Sequence, residues 1–191
     1  MNFKNLTLAA MAILLTVIMG CKKDSNNDTP TNSGQFTYDG TSYTLSQGCL
    51  IGFGSSNSTS YGLELLLMSS GLNIVETGGT ADSINGTGDI FALALYSSSQ
   101  TVLEPGNYSF SSSEASGTIE DGILLIQYIA LTDESQKEDY FVEGTLTVTK
   151  AGDQYELAFN MTNSLEKTTT GSFKGKLKYY SEYNKKTLSL K

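Results

Sequence analysis

The stretch GTLTVTKAGDQYELAFNM, residues 144–161, decides the fold class because it holds two alternating segments around a turn. Leu146 and Val148 alternate with threonines, and an apolar residue stands at every second position from Tyr155 to Met161. A period of two is typical of a strand with one face on a core. The Lys-Ala-Gly-Asp at residues 150–153 has the composition of a tight hairpin turn. We therefore predict two neighbouring antiparallel strands.

The same alternation continues on both sides of this hairpin. Phe173, Leu177 and Tyr179 alternate with lysines, which predicts a third strand with a lysine-rich solvent face. Closer to the N-terminus, Asp39-Gly40 is a strong hairpin signal between two short strands. Further strands are predicted at residues 61–68, 89–96, 107–110 and 123–131, the last of them apolar on both faces.

This pattern predicts an all-β fold. About nine or ten short strands, separated by turns rich in Gly, Ser and Asn, favour an antiparallel β-sandwich, with a lipocalin-like β-barrel as the alternative. Apart from a short turn around residues 133–139, the chain after Cys21 lacks the period of an amphipathic helix. The ordered part is expected to form a single β domain over residues 35–191, whose length suits one core.

The N-terminus has the pattern of an export signal. Lys4 precedes an apolar run at residues 6–18, which is shorter than the roughly 20 residues needed to cross a bilayer. Small Gly20 directly before Cys21, after this aliphatic run, resembles the lipobox of bacterial lipoproteins. The resemblance implies removal of a signal peptide, residues 1–20, a diacylglycerol on the Cys21 thiol, and usually a further acyl chain, such as palmitate, on the new amine. The alternative is an ordinary cleaved signal peptide.

A flexible tether is predicted between the lipid and the domain. Residues 21–34 contain no large apolar side chain and cannot bury enough surface to fold. Within them, Lys22-Lys23-Asp24 resembles the lysine-then-acid signal that sends some Bacteroidetes lipoproteins to the outer face of the outer membrane. We therefore expect a lipid-anchored protein of the cell envelope, on the outer membrane and exposed at the surface. A periplasmic face is the alternative.

The closing strands carry a second resemblance. The segments GTLTVTK at residues 144–150, GDQYEL at residues 152–157 and GSFKGKL at residues 171–177 look like the last strands of small Bacteroidetes cell-envelope lipoproteins with one all-β domain. This resemblance covers roughly residues 140–180. It implies an envelope lipoprotein and transfers no catalytic residue.

Charge and residue types exclude several function classes. The net charge is -8 and all 12 basic residues are lysine, so a nucleic-acid partner is excluded. The chain has no histidine, which removes Ser-His-Asp catalysis and His-ligated zinc. If Cys21 carries lipid, Cys49 has no partner and is expected to be a small buried hydrophobe. We predict no metal site and no cofactor.

Acidic side chains are the remaining route to hydrolysis. Glu120-Asp121 stands beside Gly122 in a predicted turn, and hydrolysis of a glycoside requires two carboxylates around one bond. Adjacent acids in a turn usually face solvent. Ser164 and Lys167 match a Ser-x-x-Lys motif, but the companion motifs of that enzyme family are missing. No catalytic residue is predicted, and the chain is expected not to be an enzyme.

Tyrosines are the candidates for a binding surface. Tyr179, Tyr180 and Tyr183 cluster near the C-terminus, where aromatic rings can stack on sugars or anchor a protein interface. The alternative is that tyrosine is simply a favoured strand residue. The Asp-Ser-Ile of residues 82–84 fits the short pattern of Bacteroidetes O-glycosylation, so Ser83 is a candidate modification site.

The function that these features favour is a non-catalytic binding or adhesion module, whose partner is a glycan, a protein or another component of the envelope. The first alternative is a lipocalin-like carrier of a small apolar ligand, which needs a closed barrel with an apolar interior pocket. The second is an enzyme that uses carboxylates alone, which needs two acids converging in one cleft.

Overall fold

The computed structural model describes residues 32–181. The predicted signal peptide, the lipid attachment site at Cys21 and most of the tether lie outside the described residues, as does Tyr183. The first strand begins at Ser33, just inside the predicted tether. Nothing in the described range tests the anchor itself, which stays a prediction.

The described part of the chain is built from β-strands, which confirms the predicted all-β class. Its strands are β1 (Ser33–Tyr38), β2 (Thr41–Leu45), β3 (Gln47–Asn57), β4 (Ser60–Met68), β5 (Leu72–Thr77), β6 (Thr80–Ser97), β7 (Gly106–Phe110), β8 (Thr118–Ile129), β9 (Lys137–Ala151), β10 (Gln154–Asn163), β11 (Thr168–Gly175) and β12 (Lys178–Tyr180). These 12 strands exceed the predicted number, partly because one predicted strand is divided in two. Among these residues no helix has the length and apolar character needed to span a membrane.

The strands form one curled, mixed sheet. Along the hydrogen-bonded path their order is β12-β3-β4-β6-β8-β7-β9-β10-β11-β1-β2, with β5 paired to β6 beside this path. Most neighbours are antiparallel, but β12–β3 and β7–β8 are parallel. The predicted purely antiparallel arrangement is therefore wrong at these two pairs. The reason lies in the links: the loop at residues 111–117 returns the chain to the start of β8 beside the end of β7, and the link after β11 crosses to the far edge of the sheet.

The hairpin that decides the fold class is confirmed. β9 and β10 are antiparallel neighbours with Val148 opposite Leu157, and Gly152 takes a φ of 63° in the turn between them. The hairpin predicted from Asp39-Gly40 is confirmed as well, since β1 and β2 pair through that turn. Turn chemistry and a period of two were sufficient at both places because these pairings are local in sequence.

The predicted third strand is divided in two. β11 ends at Gly175 and β12 begins at Lys178, and the two strands lie far apart in the sheet. Between them, Lys176 N donates to Asn32 Oδ1 at 2.9 Å, and Asn32 Nδ2 donates to Lys176 O at 3.3 Å. These bonds satisfy the backbone groups that a continued ladder would use. The alternation with lysines therefore predicted β-structure in both segments, but the prediction of one continuous strand is wrong.

Two short links draw the ends of the sheet together. Ser46 alone joins β2, at one end of the strand order, to β3 near the other end. Lys176 and Leu177 join β11 to β12 in the same way. Neighbouring strands lie about 4.8 Å apart and consecutive Cα atoms about 3.8 Å apart, so neither link could cross a flat sheet of this width. The sheet therefore curls back on itself.

One hydrophobic cluster fills the interior of the curl. It takes alternate residues from strands on both sides of β8 in the strand order, which form the two halves of the curled sheet. One face of each of these strands therefore points into the interior. Phe91 on β6 stacks on Phe159 of β10 with ring centroids 4.0 Å apart, and its ring centroid lies 5.5 Å from that of Phe141 on β9. β6 and β10 are separated by β8, β7 and β9 in the sheet, so this contact crosses the interior.

A second cluster covers the outer face of β3, β4, β6 and β8. It contains strand residues that alternate with those of the interior cluster, such as Ile51 and Leu66. The β5–β6 hairpin adds Leu72 to it. On β8, Leu124 belongs to the interior cluster and Ile123 to the outer one. The prediction that this strand is buried on both faces is confirmed.

Candidate functional site

The two predicted surface tyrosines that the structure describes lie on opposite faces of the sheet. Tyr179 and Tyr180 are consecutive residues of β12, so their side chains lie on opposite faces of the sheet. Tyr180 is only 5% exposed and belongs to the outer cluster, whereas Tyr179 packs against the interior cluster. Tyr183 lies outside the described residues. These two side chains therefore do not share one surface, and a binding role for either of them stays a prediction.

Ser83 and Cys49 both lie within strands. Ser83 is half-buried in β6, where it pairs with Val75 of β5, and its glycosylation stays a prediction. Cys49 is buried, as predicted. Burial raises the pKa of the Cys49 thiol to about 12, and the nearby carboxyl of Glu64 adds to the shift. At neutral pH the thiol is therefore uncharged, as expected of a small core side chain.

Glu120 occupies an irregular point of β8 rather than the predicted turn. Ala94 of β6 pairs with Asp121 and Leu95 pairs with Ile119, so Glu120 has no residue opposite it. A β-bulge of this kind bends its strand and changes the direction of one side chain. The predicted turn is wrong because the glycine that suggested it is needed inside the sheet, where an added Cβ would collide with core side chains.

The bulge lies near the point where β9 changes its partner from β8 to β7. β9 pairs with β8 at residues 137–140 and with β7 at residues 145–148, so three strands meet around residues 141–144 between the two ladders. An open depression of ≈ 530 Å³ lies at this point, and we call it the junction groove. Its lining residues are Tyr96, Phe110, Ser111, Ser112, Ser113, Glu114, Glu120 and Val142.

Tyr96 is the central polar side chain of the junction groove. It is 5% exposed, and its Oη donates a hydrogen bond to Glu120 Oε2 at 3.0 Å. Burial raises the pKa of Tyr96 well above its ordinary value, and the carboxylates of Glu120 and Glu114 add to the shift. The phenol therefore keeps its proton at neutral pH. Both glutamates lie close enough to influence it, which places two carboxylates around one hydroxyl.

The loop that carries Glu114 is tied to the sheet. Ser60, which is buried at the start of β4, donates from Oγ to Glu114 O at 2.6 Å. On the other side, Thr118 Oγ1 shares its one proton between Ser113 O at 2.8 Å and Ala115 O at 2.6 Å. Since these bonds hold the backbone of the serine-rich loop, this wall of the groove is set before any ligand arrives.

Apolar surface borders the acidic wall. Val142 is 54% exposed on β9, and Phe110 is half-buried at the end of β7. Next to the groove, Phe53 is 41% exposed and covers Gly62 of β4. Its ring meets that of Tyr96 edge-on, with centroids 6.0 Å apart. Apolar side chains beside a few placed polar groups are typical of ligand-binding sites.

The arrangement allows two kinds of chemistry. Carboxylates and hydroxyls can bind the polar groups of a ligand, and two glutamates in one groove are also what a carboxylate-only hydrolase requires. Within residues 32–181, no three His, Cys, Asp or Glu side chains gather in a way that could hold a metal ion. The sequence prediction missed Tyr96 and Glu114 because they belong to a strand and a loop that only tertiary pairing brings together. The available signal was the polar run SSSE directly after Phe110.

A second polar network joins β1 to β9 and β10. Tyr38 Oη donates to Asp139 Oδ2 at 2.5 Å, and Asn163 Nδ2 donates to the same oxygen at 2.6 Å. Hydrogen bonds from two lysines lower the pKa of the adjacent, exposed Asp39. Since these polar groups pair with one another, we interpret the network as a structural tie between strands rather than a ligand site.

Glu64 is an isolated acid on the outer face of β4. It lies opposite Ile51 of β3 and Ala94 of β6, which offer it no polar side chain. Its Oε1 is buried and has no hydrogen-bond partner among the described residues. Burial raises the pKa of Glu64 to about 7. Its carboxyl group therefore changes charge close to neutral pH.

No protein-family model, no curated protein and no solved structure matches this chain. Its function is therefore inferred from the geometry of the junction groove and from the predicted anchor.

Proposed function

We propose that this protein is a lipid-anchored outer-membrane protein of the cell surface whose β domain is a non-catalytic binding module. The observation that carries the binding role is the junction groove, an open site of ≈ 530 Å³ with placed polar groups beside apolar side chains. Ligand sites are typically concavities of about 300–1,000 Å³ with this mixed lining. Membrane attachment and location rest on the lipobox at Cys21 and on the lysine-then-acid segment that follows it.

The packing of the domain favours a surface site over an interior one. Phe91 and Phe159 meet across the interior, so we infer that the two halves of the curled sheet pack face to face as layers of a β-sandwich. A lipocalin-like carrier would keep this space for its apolar ligand. The aromatic contacts occupy it instead, which makes the lipocalin-like alternative the weaker candidate.

The lipid anchor is tested by replacing each of the two cysteines in turn. The Cys21→Ala variant is expected to leave the outer-membrane fraction, because no acyl chain can attach to it. Cys49→Ala is the matched control, since it removes the other cysteine of the chain and should stay in the membrane fraction. Immunoblots of fractionated cells give the readout. A Cys21→Ala variant that remains in the outer-membrane fraction would contradict the lipid anchor.

Surface exposure is tested with protease on intact cells. The wild-type domain is expected to be digested while a periplasmic control protein survives, because the anchor is predicted to lie in the outer leaflet. Survival of the domain in cells whose periplasmic control also survives would place it on the periplasmic face, the alternative location.

The binding role is tested with a groove variant that carries Glu114→Gln and Glu120→Gln. Cells that display it are compared with wild-type cells for binding to immobilised glycans and extracellular proteins. The control variant, Glu134→Gln with Glu166→Gln, loses the same two charges from exposed turns elsewhere. Binding should fall in the groove variant alone. Release of a product from any of these ligands by the purified wild-type chain would instead support the carboxylate-only enzyme.

A further inference from the structure

We propose that the junction groove takes a neutral oligosaccharide. This inference rests on the proposed binding function and names the chemical class of the ligand. It follows from three properties of the lining: an excess of hydrogen-bond acceptors, three consecutive serine hydroxyl groups, and the apolar side chains of Phe110 and Val142 in the same depression. A sugar ring presents the complement of all three, since it has hydroxyl groups around its edge and apolar C–H groups on its faces.

The acceptors of the groove outnumber its donors. Tyr96 donates its only proton to Glu120 Oε2, so the phenol has no proton left for a ligand. When they are ionised, the carboxylates of Glu114 and Glu120 accept hydrogen bonds and cannot donate them, and each has room for several donors. A ligand that fits must therefore bring O–H or N–H groups to this wall.

The serine-rich loop favours a ligand that carries hydroxyl groups. Ser111, Ser112 and Ser113 line the groove in sequence, and a serine hydroxyl both donates and accepts. A sugar hydroxyl does the same, so it can pair with a serine and a carboxylate at once. Because the ties at Ser113 and Glu114 hold the backbone of the loop, little order has to be imposed on it when the ligand binds.

The apolar side chains of the groove can pack against the C–H face of a sugar ring. Val142, which is 54% exposed, and the half-buried ring of Phe110 face the same depression as the carboxylates. Contact with the C–H face of a sugar would remove this surface from water, which stabilises the complex. Phe53 extends the apolar surface beyond the groove through its contact with Tyr96.

Charge distinguishes this ligand from two others. The lining contains no lysine, and the whole chain carries a charge of -8, so acidic sugars and phosphates would be repelled. A basic peptide would also pair with the carboxylates, but its binding would weaken as the salt concentration rises, whereas that of a neutral sugar would not. A neutral saccharide can donate to the carboxylates, pair with the serine hydroxyls and cover the apolar side chains.

The test is isothermal titration of the purified full-length protein, held in a detergent without a sugar headgroup. The probes are maltotetraose, cellotetraose and mannotetraose, with trilysine as the cationic comparison. Binding of at least one tetrasaccharide is expected, with equal affinity at about 0.1 M and about 1 M salt, because a neutral ligand is not screened. Glu120→Gln should weaken it by about tenfold or more, since a charge-assisted acceptor is lost. The Glu134→Gln control should bind as the wild type does.

Each outcome decides the question. Salt-independent binding of a tetrasaccharide that Glu120→Gln weakens supports the inference. Absence of binding by all three sugars overturns it. Binding of trilysine alone, lost at high salt and in the groove variant, also overturns it, while the proposed binding function would stand with a basic partner. Hydrolysis of a bound tetrasaccharide would instead overturn the non-catalytic function while leaving the choice of ligand correct.

Discussion

At the scale of single residues, Glu64 shows how burial without a partner changes one carboxyl group. The strand residues beside it are Ile51 and Ala94, and its buried Oε1 accepts no hydrogen bond among the described residues. Desolvation disfavours the charged form, so the pKa rises from 4.5 to about 7. The folded protein consequently holds the proton of Glu64 over a pH range in which the unfolded chain has released it.

We predict that Glu64→Gln removes a pH-dependent loss of stability. Because the folded pKa is raised, the favourable contribution of protonated Glu64 is complete below about pH 4.5 and is lost as the pH rises to about 7. The full loss is roughly 3 kcal/mol, since one pKa unit corresponds to about 1.36 kcal/mol. The variant should therefore gain stability relative to wild type as the pH rises from about 4.5 to about 8. Urea unfolding at both values measures it.

Glu134→Gln is the control for this prediction, because Glu134 is exposed in the turn after β8. Its stability difference from wild type should stay within about 0.5 kcal/mol at both pH values. A Glu64→Gln variant whose stability follows the wild-type pH profile would show that the folded and unfolded pKa values of Glu64 are the same.

At the scale of elements, β9 has to bend where it leaves β8 and joins β7. Gly144 lies between these two ladders, opposite Met161 of β10, and takes a φ of 142°. A Cβ at this position would lie 2.4 Å from Asn160 O and 2.7 Å from Met161 Cα, both of them backbone atoms. Glycine is therefore needed at this point of β9, two residues after Val142 of the junction groove.

We predict that Gly144→Ala destabilises the domain by about 2–4 kcal/mol, because a backbone collision adds to an unfavourable φ. Gly152→Ala is the control: its φ of 63° is also positive, but nothing lies within 4 Å of the added Cβ. That substitution should cost only about 1–2 kcal/mol. Urea denaturation of both variants separates collision from φ strain. Equal losses would mean that β9 moves to accept the methyl group.

At the scale of the whole molecule, stability depends on contacts between the two halves of the curled sheet. Phe91 on β6 touches Phe159 on β10 and Phe141 on β9, although neither β10 nor β9 is a neighbour of β6 in the sheet. The two covalent links after β2 and β11 hold the sheet edges near one another. Since these constraints involve strands throughout the described chain, the domain should unfold as one cooperative unit.

We predict that Phe91→Ala costs about 3–5 kcal/mol and keeps a single unfolding transition. Phe53→Ala is the matched control, since Phe53 is 41% exposed, and it should cost about 1 kcal/mol. Far-ultraviolet circular dichroism and tyrosine fluorescence can be followed together, because the chain has 11 tyrosines and no tryptophan. Two separate transitions in the wild type would show that the halves fold independently.

The sequence by itself determined the all-β class and the local hairpins, because a period of two and a two-residue turn signal act between neighbouring residues. The β9–β10 pair and the turn at Asp39-Gly40 followed from these rules. The burial of Cys49 followed from its residue type, since an unpaired cysteine behaves as a small hydrophobe. The predicted anchor at Cys21 is likewise a matter of sequence alone. Only the tertiary structure decided the break at Lys176, the parallel pairs and the junction groove. Each of these depends on which distant strands become neighbours, a choice that the curling of the sheet makes and that alternation along one strand does not encode.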